Sequence, residues 1–374
     1  MKKVLFVATV DEHIRHFHLP YLAWFAQKGY EVHVAANGYE TFQNCSRKFN
    51  VCYQRTPFSL ANFRANHELR KIVTDNKYEL VHFHTPVASV FGRWVTRKTR
   101  KFGSKILYTA HGFHFYKGAP IINWLFFYPM ERLMARFTDY LITINEEDFA
   151  RAEKFVLQDR GSVWKVPGIG VNIAKFHPAA QFDKCRVRQV MGIPEDAFVV
   201  LAVGELIARK NHQVLLRAIS LVDKPNTYCV IAGRGSEEQS LRRLASRLQI
   251  ADKVRFLGYC KELVDVYHSA DIFAFPSLQE GLPVALMEAM ASGLPCIASE
   301  IRGNIDLIKH EISGLLFTSG CHEELARDIV RLREDTAFAR QLGAEAAVYV
   351  RQFDMAHAMA GMNAIYEKAI GKIS

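Results

Sequence analysis

The sequence predicts an α/β protein of two domains, each built on a parallel sheet with helices on both faces. Three observations support this fold class. Short apolar runs rich in β-forming residues alternate with helical patterns along the chain. A segment rich in Gly and Pro, residues 166–178, interrupts this alternation. The chain also has 374 residues, 49% of them hydrophobic, which is too large for one ordinary core.

The first domain is expected to span residues 1–170. Its predicted strands are the apolar runs 4–9, 31–35, 80–83, 105–109 and 140–144. Helical patterns occupy 19–28 and 66–76. The first apolar run stops at Asp11 and is too short for the apolar region of a signal peptide, so we interpret it as the first strand.

The second domain is expected to span residues 171–354, after the Gly- and Pro-rich linker. The predicted order is strand 199–203, helix 211–221, strand 228–232, helix 236–248 and strand 254–257. A further strand runs from Asp271 and ends at Pro276, and another follows Gly293. Residues 355–374 form a separate C-terminal segment, helical over 355–370.

The stretch 280–288 carries two carboxylates, Glu280 and Glu288, eight residues apart. Pro283 suits the first turn of a helix, and Gly293 ends that helix. Glu280 is thus expected at a helix N-terminus and Glu288 about two turns inside. Because such an N-terminus attracts phosphate and carboxylates accept hydrogen bonds from hydroxyls, the stretch favours a nucleotide sugar as ligand. The stretch follows the carboxyl end of a predicted strand, which is where α/β sheets bind ligands.

Three further motifs accompany this pair in a fixed order. They are Gly204 followed by Arg209-Lys210, the turn Gly233-Arg234-Gly235, and the strand end Phe256-Leu257-Gly258. Together the four motifs resemble the nucleotide-sugar half of retaining glycosyltransferases of family 4, over residues 204–317. The rest of the chain is more weakly similar, and its N-terminal half resembles members that build capsules and other bacterial surface glycans.

The resemblance implies the GT-B architecture. In that architecture two Rossmann-like domains face a central cleft, and the C-terminal helix crosses back to the N-terminal domain. It also implies a retaining, metal-independent hexosyltransferase that uses a UDP-sugar. An N-acetylated hexose is the expected sugar, and the donor is expected in the second domain.

The resemblance assigns roles to particular residues. Arg209 and Lys210, before a helix that Asn211 is expected to cap, would bind the donor diphosphate and stabilise its departure. Glu288 would bind the ribose, Glu280 the donor sugar, and His111 would lie near the reacting sugar. The predicted catalytic residues are therefore His111, Glu280, Arg209 and Lys210. Further donor contacts are expected at Gly204, Gly233, Leu257, Gly258, Gly281, Leu282, Pro283 and Val284. For Gly233 and Gly235, a purely structural tight turn remains an equal alternative.

The segment after the first strand differs from the family pattern. Many members have a Gly-rich turn there, whereas this chain has Asp11, His13, Arg15 and His16. We predict that this segment is a loop that contacts the acceptor, with Asp11 as a base for the acceptor hydroxyl. His82 and His84 share one strand face, but no third metal ligand is evident. Packing or lining of the cleft is therefore the better interpretation, and no metal site is predicted.

Charge is unevenly distributed. Residues 1–177 hold 25 Lys and Arg against 14 Asp and Glu, a balance of +11, whereas residues 178–374 have a balance of −1. The basic excess includes Arg93, Arg97, Lys98, Arg100 and Lys101, near an aromatic run at 121–136. Such a combination suits an anionic membrane surface. The alternative is a core helix beside a solvated basic face. Nucleic acid is not expected as a partner, because no nucleic-acid motif accompanies the patch.

The seven cysteines are scattered and form no Cys-x-x-Cys pair, which indicates reduced thiols in a cytoplasmic protein. We therefore expect a glycosyltransferase of surface-polysaccharide synthesis on the inner face of the cell membrane. Its acceptor would be a lipid-linked sugar, of the polyprenyl-pyrophosphate type, or a glycan. A sugar-nucleotide epimerase of the same architecture and a non-enzymatic membrane-binding protein are the alternatives. A nicotinamide dehydrogenase is disfavoured, since no Gly-x-Gly-x-x-Gly follows the first strand.

Overall fold

The computed structural model describes residues 1–54, 56–158, 161–179 and 184–371. The chain divides into two compact units. Unit 1 comprises Met1–Ile169 with Ala358–Ser374, and unit 2 comprises Gly170–His357. Each unit contains one parallel sheet with flanking helices, which confirms the predicted fold class.

Unit 1 is built on a seven-stranded parallel sheet in the order β3-β2-β1-β4-β5-β6-β7. The strands are β1 Lys3–Val10, β2 Glu31–Asn37, β3 Arg47–Asn50, β4 Leu80–Phe83, β5 Lys105–Ala110, β6 Tyr140–Thr143 and β7 Ser162–Lys165. Both faces of the central strands are covered, as the continuous burial of Val4 to Thr9 shows. Runs of this kind are typical of parallel sheets between two helical layers.

The helices of unit 1 connect these strands and cover the sheet. They are α1 Asp11–Phe17, α2 Leu19–Gln27, α3 Ala61–Asn76, α4 Pro86–Thr96, α5 Ile121–Ala135 and α6 Glu146–Ala152. A 3₁₀ turn follows α4 at Thr99–Phe102. Among the described residues, no helix is both long enough and apolar enough to cross a bilayer.

Unit 2 is built on a six-stranded parallel sheet in the order β10-β9-β8-β11-β12-β13. The strands are β8 Phe198–Val203, β9 Thr227–Ala232, β10 Val254–Gly258, β11 Ile272–Phe275, β12 Cys296–Ser299 and β13 Leu315–Phe317. Its helices are α7 Lys184–Val190, α8 His212–Leu221, α9 Glu238–Arg247, α10 Val264–Ser269, α11 Val284–Ala291, α12 Asn304–Leu307, α13 His322–Glu334 and α14 Thr336–Tyr349. Short 3₁₀ turns occupy Ala208–Lys210, Ala251–Lys253 and Val350–Phe353.

The last helix, α15 Met355–Ile370, belongs to unit 1 from Ala358 onward. Tyr366 anchors it there, because its buried ring lies 4.8 Å from the ring of Phe25. The Tyr366 hydroxyl is also 2.9 Å from Nδ1 of His82 on β4. Both contacts lie within unit 1, so the chain end completes the core of this unit.

Both sheets reverse their strand order at one point. In unit 1 the reversal lies between β1 and β4, and in unit 2 it lies between β8 and β11. The loops that leave the carboxyl ends of the two strands diverge at such a point, and ligands of open α/β sheets bind in the resulting crevice. The topology therefore predicts ligand sites in the segments after β1 and β4 in unit 1, and after β8 and β11 in unit 2.

Candidate active site

The loops after β8 and β11 meet at the reversal point of unit 2. The β8 loop carries Arg209 and Lys210 in the 3₁₀ turn before α8, and the β11 loop carries Glu280 before α11. A backbone hydrogen bond from the N–H of Leu278 to the carbonyl of Arg209, 2.8 Å long, ties the two loops together. Lys210 and Glu280, 70 positions apart in sequence, are thus held side by side.

Glu280 pairs with both cations through one oxygen. Lys210 Nζ lies 2.7 Å from Glu280 Oε1, and Arg209 Nη1 lies 3.2 Å from the same atom. Arg209 also donates to the carbonyl of Gln279, and the Lys210 ammonium lies 4.9 Å from the centroid of the Phe275 ring. Since Glu280 is only 8% exposed, its charge needs these partners. The arrangement presents two positive groups fixed at one edge of the sheet.

Arg302 supports the Glu280 loop and was missed from the sequence. Its guanidinium is buried, and Nε donates to the carbonyl of Glu280 at 3.1 Å. The contact spans 22 residues and depends on where the segment after β12 folds back. No local pattern around Arg302 indicates it.

Glu288 lies on α11 and is largely buried. The Tyr267 hydroxyl donates to Glu288 Oε2 at 2.9 Å, and it also lies 3.1 Å from the carbonyl of Ala285. Burial raises the pKa of the Glu288 carboxyl to about 6, although the Tyr267 hydrogen bond opposes the shift. The carboxylate has lone pairs left for further donors, such as the vicinal hydroxyls of a ribose.

Three glycines bring the ends of β8, β9 and β10 close together. Gly204, Gly233 and Gly258 all have positive φ, and a Cβ on Gly233 would lie 1.8 Å from the carbonyl oxygen of Gly204. A Cβ on Gly235 would lie 2.3 Å from the carbonyl oxygen of Leu206. Backbone packing thus accounts for Gly233 and Gly235 by itself, which favours the tight-turn interpretation over a direct ligand contact.

Two local predictions in this region are wrong. Asn211 does not cap α8 with its side chain, because it adopts the left-handed conformation at φ 54°. Pro283 lies at the position before the helix, since α11 begins at Val284. Gly293 ends that helix with φ +78°, as predicted. Gly281 and Leu282 lie in the loop between Glu280 and α11, and Leu257 lies at the end of β10.

In unit 1, the segment after β1 is helix α1 rather than the predicted loop. Asp11 begins this helix and is buried, with Oδ1 2.8 Å from Lys48 Nζ and Oδ2 accepting from the N–H of Glu40. The Lys48 ammonium and the Glu40 N–H both contact this carboxylate, and a base role for Asp11 stays a prediction. Arg15 and His16 are exposed on α1, whereas His13 is half-buried and turns toward the sheet.

His13 is one member of a five-histidine cluster at the reversal point of unit 1. The cluster comprises His13, His18, His82, His84 and His111. The ring centroids of His18 and His84 are 3.6 Å apart, and those of His13 and His111 are 4.7 Å apart. The members come from α1, the residue between α1 and α2, β4, the residue after β4 and the residue after β5, so only the fold brings them together.

Most of the cluster nitrogens have no protein partner. His82 bonds to Tyr366 and Thr109, at 2.9 and 2.8 Å. Within the described part of the chain, Nε2 of His13 and His111 and both nitrogens of His18 and His84 are buried without one. Burial lowers the pKa of every member below its usual value, to about 4 for His111. The rings are therefore neutral near pH 7.

The sequence offered no third ligand beside His82 and His84, and the structure instead groups three other histidines. His13, His18 and His111 each place one ring nitrogen within 4.8 Å of the others. Neutral imidazole is the form that binds transition metals. A chelator experiment would therefore test these histidines as a metal site.

The predicted membrane patch is only partly a surface. Arg93 is wrongly assigned, because its side chain is fully buried and pairs with Glu131 on α5 at 2.6 Å. Arg100 pairs with Asp139 and is mostly covered. Arg97 stacks on the exposed ring of Trp94, and Lys98 and Lys101 are exposed. The surface portion is therefore Arg97, Lys98 and Lys101.

Helix α5 has both a face packed in the core and an exposed face, so each interpretation of the aromatic run holds for one side of the helix. Its inner face, with Trp124, Phe127 and Tyr128, packs against the core of unit 1. Its outer stripe is exposed and follows the helical period, with apolar residues first and arginines toward the C-terminal end. The outer stripe consists of Ile121, Ile122, Leu125, Pro129, Arg132, Leu133 and Arg136.

Comparison with known proteins agrees with the division of the chain into two units. The family model for Glycosyl transferases group 1 matches residues 183–348, and that for Glycosyl transferase 4-like proteins matches residues 3–145. The putative glycosyltransferase EpsD of Bacillus subtilis is 40% identical over 98% of this chain and 96% of its own. An Escherichia coli UDP-Gal:alpha-D-GlcNAc-diphosphoundecaprenol alpha-1,3-galactosyltransferase is 28% identical over 71% of this chain and 69% of its own.

Solved structures share the fold at low sequence identity. The Anabaena protein HepE, in complex with UDP and glucose, superposes with a TM-score of 0.79 at 19% identity, over 98% of this chain and 100% of its own. Sucrose-phosphate synthase from Thermosynechococcus elongatus gives a TM-score of 0.78 at 22% identity, over 98% of this chain and 99% of its own. The sequence matches and the two parallel sheets together show that this chain belongs to the group 1 and 4-like glycosyltransferases of GT-B fold.

Proposed function

We propose that this chain transfers a sugar from a UDP-linked donor to a lipid-linked acceptor in the synthesis of a bacterial surface polysaccharide. Donor recognition is assigned to unit 2 and acceptor recognition to unit 1. The transfer retains the anomeric configuration and needs no metal ion. An N-acetylated hexose is the proposed sugar, and the inner face of the cell membrane is the proposed location.

One observation carries the proposal, namely the pairing of Arg209 and Lys210 with Glu280 at the reversal point of unit 2. When UDP leaves, negative charge grows on its diphosphate, and cations already held in place stabilise that charge without reorganisation. Two fixed cations can supply the charge that a divalent metal supplies in other transferases. Glu280 orients them and lies where it can accept a hydrogen bond from a sugar hydroxyl.

Nucleoside recognition is assigned to Glu288. Its position on α11, with one lone pair used by Tyr267, leaves the carboxylate able to accept from the ribose. UDP is the proposed nucleotide because the E. coli relative is named for UDP-Gal and the structure of HepE holds UDP. Gly204, Leu257, Gly258, Gly281, Leu282, Pro283 and Val284 are proposed as further donor contacts.

Acceptor recognition is assigned to the reversal point of unit 1. His111, the cluster member that follows β5, is proposed to contact the reacting sugar, while His13, Arg15 and His16 lie on the adjoining helix α1. A polyprenyl-diphosphate sugar is the proposed acceptor, since the name of the E. coli relative specifies a diphosphoundecaprenol substrate. Such an acceptor stays in the bilayer, so the protein must bind the membrane surface.

That membrane contact is assigned to the outer stripe of α5, to the exposed Lys98 and Lys101, and to the partly exposed Arg97. Apolar residues can enter the interface while the cations meet anionic headgroups. Each Lys or Arg near such a surface contributes about 1 kcal/mol, which fades within a Debye length. Binding of this kind is reversible and sensitive to salt.

The proposal is tested by turnover of radiolabelled nucleotide sugars, with and without a bacterial lipid extract. We expect label to enter the organic phase only with the extract, with a UDP-N-acetylhexose as the best donor, and undiminished activity after dialysis against EDTA. An isomerised nucleotide sugar formed without lipid would instead identify an epimerase. Loss of activity with EDTA and recovery with Zn²⁺ would overturn metal independence and point to His13, His18 and His111.

A further inference from the structure

Unit 1 contains an apolar groove between α4, α5 and the loop after β5. Its volume is about 360 Å³, within the range of roughly 300–1,000 Å³ that ligand pockets show. The walls are formed by side chains such as Val87, Val90 and Phe91 of α4, Phe126 and Met130 of α5, and Phe113 of the loop. We call this feature the aromatic groove.

The polar groups that reach the aromatic groove are already engaged. Glu131 is held by the buried guanidinium of Arg93, which also lies over the ring of Tyr108, 4.2 Å from its centroid. The ring of His114 lies tilted against that of Phe127, with 4.8 Å between centroids. A sugar placed here would exchange its water hydrogen bonds for few protein ones, at a cost in free energy. The groove thus suits a hydrocarbon rather than a sugar or a nucleotide.

The segments that line the groove also carry exposed apolar side chains. Phe58, 75% exposed, lines the groove, and its ring centroid lies 5.3 Å from that of Phe126. Leu60 and Phe63 follow on the same side, and Ile121 and Leu125 of the outer stripe lie on α5, 77% and 69% exposed. An exposed apolar surface of this extent marks a contact with a membrane or another apolar partner.

The inner end of the aromatic groove reaches the proposed acceptor site. Gly112 lines the groove and is bonded directly to His111 at the carboxyl end of β5. The lining of the aromatic groove therefore includes the chain neighbour of the residue proposed to contact the reacting sugar. A ligand with a polar head at His111 and a hydrocarbon tail in the groove fits this arrangement.

We infer that the aromatic groove binds the isoprenoid chain of the acceptor, over the units nearest its diphosphate. The inference rests on the proposed function and adds to it a site for the lipid itself. Apolar burial would fix the head group at His111 and let the protein select isoprenoid carriers over other anionic lipids. Each CH₂ group that is buried contributes about 0.8 kcal/mol to the binding free energy. Two or three buried CH₂ groups therefore already change the affinity at least tenfold.

Farnesyl diphosphate, a soluble fifteen-carbon isoprenoid, is the probe. Calorimetry on the full chain should show that it binds at least tenfold more tightly than inorganic diphosphate. Val90→Trp fills the groove and should remove that advantage while UDP affinity stays unchanged. Val156→Trp is the matched control, because Val156 is an exposed valine of the same unit away from the groove, and should behave as wild type.

Photocrosslinking of the wild-type protein with a benzophenone-bearing farnesyl diphosphate gives a readout that needs no variant. Peptide mapping should place the adducts on 57–63, 86–91 and 112–130. Equal affinity for farnesyl and inorganic diphosphate, or adducts confined to other segments, would overturn the assignment. Failure to bind UDP would instead count against the proposed function, because that measurement reports on unit 2 alone.

Discussion

At the scale of single residues, Glu288 couples nucleotide binding to pH. Burial raises its carboxyl pKa to about 6, so the group loses its charge as pH falls through that value. A carboxylate accepts stronger hydrogen bonds than a neutral carboxyl. We therefore expect UDP affinity to fall between pH 7.5 and 5 by calorimetry, and less steeply in Glu288→Gln.

The Glu288→Gln variant also serves as the control for UDP, whose terminal phosphate titrates in the same range. The phosphate contribution is common to both proteins, and only the difference reports on Glu288. An identical pH dependence in the two proteins would show that this carboxylate does not serve the nucleotide.

The histidine cluster makes the stability of unit 1 depend on pH. A histidine of the unfolded chain takes up a proton near pH 6.5, whereas the buried rings of His18 and His84 do so only at lower pH. Below about pH 6.5 the unfolded state binds more protons, so the free energy of unfolding falls as pH falls. Chemical denaturation should show lower stability at pH 5.5 than at 7.5.

A comparison of variants isolates the cluster from other titrating groups. His84→Leu removes one buried ring and should reduce the stability lost between the two pH values. His357→Leu alters an exposed histidine and should leave that loss unchanged. If both variants lose as much stability as wild type, the cluster does not govern the pH dependence.

At the scale of elements, α5 is the predicted membrane contact. Replacing Ile122 and Leu125 by Glu removes two exposed apolar side chains from the outer stripe without touching its packed face. Burial of such side chains contributes about 1.5 kcal/mol each, so binding to anionic vesicles should weaken roughly a hundredfold. Sedimentation with vesicles at low salt measures this directly.

The matched control introduces the same charges elsewhere. Val156→Glu with Val348→Glu changes two exposed valines outside the stripe and should sediment as wild type. Comparable loss in both double variants would indicate that net charge alone determines binding. A protein that ignores anionic vesicles even at low salt would favour a soluble acceptor.

The elements differ in how well the sequence predicts them. Strand β8 is buried from Val199 to Val203, and this continuous apolar run identifies it. The edge strands β3 and β7 have four residues each, and β3 carries Arg47 and Lys48. Charges on short edge strands prevent pairing with other chains, and they also conceal the strand from pattern analysis.

The residues of the candidate site also differ in how well the sequence predicts them. The motif around Glu280 and Lys210 is recognisable because each half lies in one short segment. The five-histidine cluster is not, because His18 and His84 meet only after β1 and β4 pair. Arg93 was misassigned for a related reason. Its position in a basic run suggests a surface, but its partner Glu131 lies 38 residues away and buries it.

At the scale of the whole molecule, chemistry is divided between the units. Unit 2 holds paired cations and a raised-pKa carboxyl at its reversal point, features that suit an anionic nucleotide. Unit 1 holds neutral imidazoles, an apolar groove and an exposed apolar stripe. The charge balance of +11 over residues 1–177, against −1 in the rest, follows the same division. A water-soluble donor and a membrane-bound acceptor would need surfaces this different.

The central claim is that Arg209 and Lys210 bind and stabilise the donor diphosphate, and the turnover of two variants tests it most directly. Transfer to the lipid acceptor should fall roughly 10²–10³-fold in both Arg209→Ala and Lys210→Ala, the loss expected for one preorganised charge. Arg327→Ala, which removes an exposed arginine of the same unit, should retain wild-type turnover. Near wild-type turnover in both Arg209→Ala and Lys210→Ala would contradict the account.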